Sequence, residues 1–218
     1  MSKIKIISAF LIVLISIFLY SANHANKFKL LSNRTSQTAK DHAIKKPSLK
    51  NQIHLAKTYC KKNHFDTQFA IFINYAIHSG LKRGYLVDLQ KKLAFDSFLV
   101  SHGCGQNNWG SDESKDNPTF SNEFESHCSS LGKFKIGTRS RSDWGINIKY
   151  SLHGLEKSNN NALKRFIVMH GWKDVPNYEI YPNGTPEGWG CPAVSNQTMT
   201  SVDSILSKRK QVLLWSFR

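Results

Sequence analysis

The sequence predicts a mainly β (α+β) domain of about 150 residues with one or two helices, and three observations carry that prediction. Residues 69–75 (FAIFINY), 84–89 (GYLVDL), 93–101 (LAFDSFLVS) and 165–170 (RFIVMH) are short apolar or alternating runs. They are rich in β-branched and aromatic residues and bounded by Ser, Gly, Asn or Lys, the pattern of strands. Hydrophobic residues make up 40% of the 218 and aromatics 11%, enough to fill one core and too much for a disordered chain. A mean hydropathy of −0.40 excludes a multi-span membrane protein.

The chain opens with Lys3 and Lys5, followed by an apolar run over residues 6–20 broken only by Ser8 and Ser16. Ser21-Ala22-Asn23-His24-Ala25 then supplies small residues for cleavage after Ala22 or Ala25. Residues 1–25 are therefore expected to be a signal peptide or an uncleaved N-terminal membrane anchor. Either sends the protein to the periplasm or cell envelope. Residues 26–50, rich in Lys, Ser, Thr and Asn and without periodicity, read as a basic polar linker. A folded domain is expected over 51–218. Its entry is a short amphipathic helix at 49–63, where Ile53, Ala56 and Cys60 fall at helical spacing. Residues 132–136, 147–155 and 211–217 are weaker strands, 106–127 is a long polar loop, and 199–207 is a late helix. No internal repeat is present.

Thirty Lys and Arg against fifteen Asp and Glu give a net charge of +15. Residues 1–62 hold 12 of those bases and one acid, Asp41, for a net +11, which leaves 18 bases and 14 acids, a net +4, in the rest. The basic character sits in front of the domain rather than interleaved with its aromatics, so no nucleic acid partner is expected. An anionic cell envelope surface fits a basic leader and linker better.

Four cysteines in an exported chain suggest two disulfides, yet the surroundings of Cys191 suggest a reactive thiol. It stands in Glu187-Gly188-Trp189-Gly190-Cys191-Pro192-Ala193-Val194, where glycines permit a tight turn and let backbone N–H groups face a substrate oxygen. Upstream, a strand ends in His170-Gly171. A cysteine nucleophile needs a base near neutral pH, and histidine titrates there. Structural roles for both residues stay open on this reading alone. The nine histidines show no zinc-ligand spacing to a cysteine pair, so neither metal nor cofactor is expected.

His170-Gly171, sixteen residues, then Gly188-Trp189-Gly190-Cys191-Pro192-Ala193 resembles the signature of the YkuD-type L,D-transpeptidases, and more closely their murein L,D-transpeptidase catalytic-domain subfamily. Leu99-Val100-Ser101-His102-Gly103, Phe120-Ser121-Asn122, Ser129-Ser130-Leu131-Gly132 and Ser151-Leu152-His153-Gly154-Leu155-Glu156 follow the family's order from about residue 69 onward. The resemblance implies an L,D-transpeptidase-like β-sandwich at 51–218 acting on peptidoglycan stem peptides. Cys191 would be the nucleophile, His170 the base, and Gly190 (with the Cys191 N–H) and Gly171 would supply the oxyanion hole and the orienting carbonyl. His102, Asn122 and Trp189 would line the cleft. The alternatives are an L,D-carboxypeptidase that uses water as acceptor, and a catalytically silent wall-binding module.

Ser101-His102-Gly103-Cys104 spells the broader family's Ser-His-Gly-Cys outright, but no strand carrying a histidine precedes it at the right distance. Three positions depart from the family: Trp189 replaces a His, Glu187-Gly188 replaces Arg-Ser, and His153 replaces an acid. With Cys191 kept as a thiol, Cys104 and Cys128, which flank the polar loop, are the expected disulfide. Closing that loop would contribute roughly 3 kcal/mol. The alternative is that the remaining cysteines are small buried apolar residues.

Overall fold

The computed structural model describes residues 49–218. The expected targeting segment, 1–25, lies outside the described residues, as does the expected linker apart from Leu49 and Lys50. Those two residues belong to the first helix, α1 (Leu49–Lys62), rather than to a linker. Eight strands follow: β1 (Phe69–Asn74), β2 (Gly84–Asp88), β3 (Leu93–Phe98), β4 (Gly132–Arg141), β5 (Ile148–Gly154), β6 (Val168–Gly171), β7 (Ala193–Val194) and β8 (Leu213–Phe217). A second helix, α2 (Asn196–Leu206), runs between β7 and β8. The mainly β fold with two helices matches the expectation.

The strands form one hydrogen-bonded sheet in the order β3-β2-β1-β8-β4-β5-β6-β7. Strand β1 is buried along all six residues because both of its faces are covered. Ala70 and Phe72 pack with Val87, Leu89 and Leu213 under Ile53, Ala56 and Cys60 of α1. Alternate residues Phe69, Ile71 and Ile73 face the larger core, as the two-residue period of a strand requires. That core joins Leu86, Phe98, Phe134, Leu152, Met169, Val194 and Leu214 to Met199, Val202 and Leu206 of α2. Side chains from both ends of the sheet meet in it, which is the sandwich-like packing. Among the described residues no helix is long and apolar enough to cross a membrane.

Of the boundaries that differ from the sequence reading, three have a clear local reason. The strand expected at 165–170 begins only at Val168, because Phe166 adopts a left-handed backbone (φ 58°) and its ring is 84% exposed. The third strand stops at Phe98, and Leu99–Ser101 leave the sheet to run beside the segment that carries Cys191. Helix α2 starts at Asn196, three residues early, because Ser195 caps it by accepting the Thr198 N–H at 3.0 Å.

Asp203 ties α2 to the sheet. It accepts from Arg139 Nε and Nη2 at 2.7 and 3.0 Å and from the Tyr150 hydroxyl at 2.7 Å. The Arg139 hydrogen bonds hold its carboxyl below the ordinary carboxylate range. A depressed folded pKa adds stability above the unfolded value, and that stability is lost as pH falls through the folded one. Asp203→Asn should therefore unfold at lower denaturant than wild type at pH 7, with the gap closing below about pH 4. A gap that persists unchanged at pH 3 in denaturant titrations would show that the carboxylate charge is not what matters.

Candidate active site

A two-residue ladder builds the site. Strand β7 pairs in parallel with β6, with His170 opposite Ala193 and Gly171 opposite Val194. Adjacent strands lie about 4.8 Å apart, so residues just before Ala193 reach the neighbourhood of the His170 ring despite the sequence separation. Cys191 and His170 accordingly line one cleft of about 120 Å³, together with Ser101, Trp109, Trp144, Trp172, Gly188, Trp189 and Ala193.

The imidazole is held in one tautomer. His170 Nδ1–H donates to the Gly171 carbonyl at 2.9 Å, which leaves Nε2 as the acceptor. Burial keeps its pKa below the ordinary histidine value; the Gly171 hydrogen bond opposes that shift, and Lys149, opposite His170 on β5, adds to it. His170 is therefore a neutral base at pH 7. The Cys191 sulfur accepts from the Val168 N–H at 3.3 Å and lies 3.8 Å from the Phe166 carbonyl oxygen. Burial raises its pKa, against smaller lowering effects of the Val168 N–H, Arg165 and Lys149. At rest it is a thiol.

Gly190 has a left-handed backbone (φ 99°), and a Cβ there would meet the Cys128 carbonyl oxygen at 2.5 Å. The turn before Cys191 therefore requires glycine. A Cβ on Gly188 would meet only Trp172, at 3.6 Å, so a small side chain would fit there. The Gly190 and Cys191 N–H groups donate to no described backbone carbonyl.

Ser101-His102-Gly103-Cys104 clamps this turn. The Ser101 N–H donates to the Ala193 carbonyl at 2.8 Å, and Ser101 Oγ accepts from the Ala193 N–H at 3.3 Å. The Gly188 N–H donates to the His102 carbonyl and the Cys104 N–H to the Gly188 carbonyl, both at 2.7 Å. His102 does not line the cleft. Its ring is fully buried, with Nδ1 accepting from Arg83 at 2.7 Å and Nε2–H donating to Ser114 Oγ at 2.9 Å. Ser114 in turn donates to Glu187 at 2.9 Å, completing a buried relay from a guanidinium to a carboxylate. Glu187 thus answers Arg83 inside the protein.

Asn122 also lies away from the cleft: its side chain binds the Lys157 carbonyl, Asn160 and the Asn161 N–H. His153 contacts Ser151 on β5 and is not part of the cleft wall. The expected Cys104–Cys128 disulfide is not formed, and all four cysteines are free thiols. The Cys104 sulfur lies near the Gly105 carbonyl and the Cys128 sulfur near Thr119 Oγ1, so both fill space as small apolar groups. Burial also raises the Cys104 pKa.

The other wall is aromatic. Trp109 stacks on Trp172 at 5.2 Å, and Trp144 stands 6.0 Å from both and 6.5 Å from His170. Trp189, beside Cys191 in the chain and 62% exposed, stacks on His127.

The profile of the L,D-transpeptidase catalytic domain matches residues 40–215. The chain belongs to this family. No curated protein is significantly similar to this member. The helical cell shape determining protein Pgp2 of Campylobacter jejuni is 11% identical to it with a TM-score of 0.44, over 68% of this chain and 46% of that one. An L,D-transpeptidase of Xylanimonas cellulosilytica is 13% identical with a TM-score of 0.37, over 68% and 60% of the two chains. The Ldtfm–avibactam carbamoyl enzyme is 9% identical with a TM-score of 0.42, over 69% and 49%. The alignment thus spans about half the length of these solved structures.

Sequence reasoning missed two residues that shape this L,D-transpeptidase-family site. Arg165 donates to the Ser121 and Cys128 carbonyls and to Ser126 and Ser130, and its charge reaches Cys191. Ser129 joins the two glycine turns, accepting from the Gly103 N–H and donating to the Gly190 carbonyl, each at 3.1 Å. The Phe-Ser-Asn and Ser-Ser-Leu-Gly motifs pointed at the region, but only the fold shows what it holds.

A resting thiol has a measurable signature. Alkylation of Cys191 by iodoacetamide should rise about tenfold per pH unit from pH 6 to 8 and level off only above the ordinary cysteine pKa. Cys60, whose burial pushes its pKa up to about 12, should stay unmodified. A rate already flat at pH 6 would mean a preformed thiolate–imidazolium pair instead.

Proposed function

We propose that this protein is an L,D-transpeptidase of the cell envelope. It cleaves the bond between the third residue of a peptidoglycan stem peptide and the D-alanine that follows, and forms 3-3 cross-links. The observation that carries this reading is the single cleft shared by Cys191 and a tautomer-fixed His170. His170 Nε2 takes the Cys191 proton as the sulfur attacks the carbonyl carbon of the third stem residue. The developing oxyanion meets the Gly190 and Cys191 N–H groups, donors whose loss typically costs about 10²–10³ in rate. The C–N bond to D-alanine breaks, His170 returns the proton to the leaving amine, and a thioester remains. An amine of a second stem, deprotonated by His170, then displaces the sulfur and closes the cross-link.

Two further features support the reading. The tryptophan wall beside His170 gives the cleft an apolar face against which a stem peptide can pack. The apolar run of residues 6–20 behind Lys3 and Lys5 supports export, with cleavage or retention as an anchor.

Incubation with a disaccharide-tetrapeptide, followed by mass analysis, should give a cross-linked dimer and free D-alanine. Cys191→Ala and His170→Ala should each lose at least about 10³-fold in turnover, and the double variant should be little worse than either. Cys104→Ala should retain activity. A tripeptide product without dimer would make the enzyme a carboxypeptidase, and full activity in Cys191→Ala would end the cysteine mechanism.

A further inference from the structure

The face of the sheet under α1 is opposite the one that carries the larger core and α2, and no residue of α1 lines the catalytic cleft. On the outer surface of α1, His54, Lys57, Thr58, Lys61 and Lys62 join Lys92 of the β2–β3 turn around an open groove of about 590 Å³. His54, Lys57 and Lys61 recur at three- and four-residue spacing, so they form one stripe on the helix. Lys92 itself takes a left-handed turn conformation (φ 57°) at the end of the β2–β3 connection.

This groove holds four lysines and no carboxylate. The acids nearby are already engaged. Asp88 caps the Gln90 and Lys91 N–H groups at 2.9 and 2.8 Å, and Asp66 pairs with Arg209 at 2.9 Å. Lys57 donates to the uncharged Gln90 at 3.3 Å, and no ion pair among the described residues involves Lys57, Lys61, Lys62 or Lys92. Like charges gathered without counter-charges raise the local potential and call for an anionic partner.

The chain itself says which anion is nearest. The groove sits on the first described helix, and the 28 residues 21–48 separate that helix from the apolar run of residues 6–20. That length spans at most about 100 Å when fully extended, and the segment between carries further Lys and Arg with a single acid.

We infer that the Lys57–Lys61–Lys62–Lys92 groove is a docking surface for anionic phospholipid headgroups of the membrane that the N-terminal segment enters. Headgroup phosphates supply the missing counter-charges, at a potential that attracts juxtamembrane lysines and decays within about 10 Å. Because α1 covers the sheet face opposite the catalytic core, docking through it leaves the cleft free for the wall polymer.

The test uses the full-length chain on vesicles of phosphatidylglycerol in phosphatidylcholine, on pure phosphatidylcholine vesicles, and on isolated peptidoglycan sacculi. Wild type should prefer the phosphatidylglycerol vesicles. The K57E/K61E/K62E/K92E variant should lose at least tenfold of that preference, and the K57R/K61R/K62R/K92R variant should keep it. Binding to pure phosphatidylcholine should not change in either. In wild type, phosphatidylglycerol vesicles should also protect Lys61, Lys62 and Lys92 from acetylation while exposed Lys208 stays reactive, a readout that does not depend on the variants folding. Equal vesicle preference in the Glu variant, or a loss seen on sacculi but not on vesicles, would overturn the proposal. In the second case the wall polymer would be the occupant.

Discussion

The parallel pairing of His170 with Ala193 and Gly171 with Val194 is the constraint on which the rest of the site depends. It is two residues long, too short to persist alone, and its neighbours hold it in place. On one side β5 pairs with β6 and sets Lys149 opposite His170. On the other, Ser101 bonds both backbone groups of Ala193, and the His102 carbonyl and Cys104 N–H hold Gly188. From beneath, Met169 and Val194 are fully buried against Met199 of α2. The turn that carries Cys191 is therefore fixed at both ends while Cys191 itself stays only half-buried. Rigid supports around a reachable atom are what a near-attack geometry requires.

Electrostatics around that turn are arranged in two compartments. In the cleft, burial lowers the His170 pKa and raises that of Cys191, so both groups are held toward their neutral forms. Behind the cleft, Arg83 and Glu187 are fully buried, and the neutral His102 and Ser114 link them by short hydrogen bonds. Two buried charges joined in this way cost far less than either alone, and removing one partner would strand the other. The Ser-His-Gly-Cys motif thus has its place in the wall that braces the Cys191 turn.

Much of this was legible in the sequence because it is written in local chemistry. Strands such as 69–75 show in their β-branched and aromatic runs, and α1 shows in the spacing of Ile53, Ala56 and Cys60. The glycine before Cys191 and the histidine at a strand end are likewise sequence features. What could not be read are the contacts that only folding makes. Strand β7 is two residues long and has no periodicity to detect. His102 looked like a cleft residue because its burial depends on Arg83 and Ser114, 19 and 12 residues away. The Cys104–Cys128 bridge looked reasonable from the loop they flank, but each sulfur turns to a different partner. Three of the cleft's four tryptophans, Trp109, Trp144 and Trp172, come from separate loops and carried no shared signature.

The central claim is that the β6–β7 register, and not the Ser-His-Gly-Cys sequence, selects the reactive thiol. Its most direct test is to treat the native protein with a carbapenem, digest it, and map the covalent adduct by tandem mass spectrometry. The account predicts one adduct, on Cys191, with Cys60, Cys104 and Cys128 unmodified. An adduct on Cys104 with Cys191 left free would contradict it.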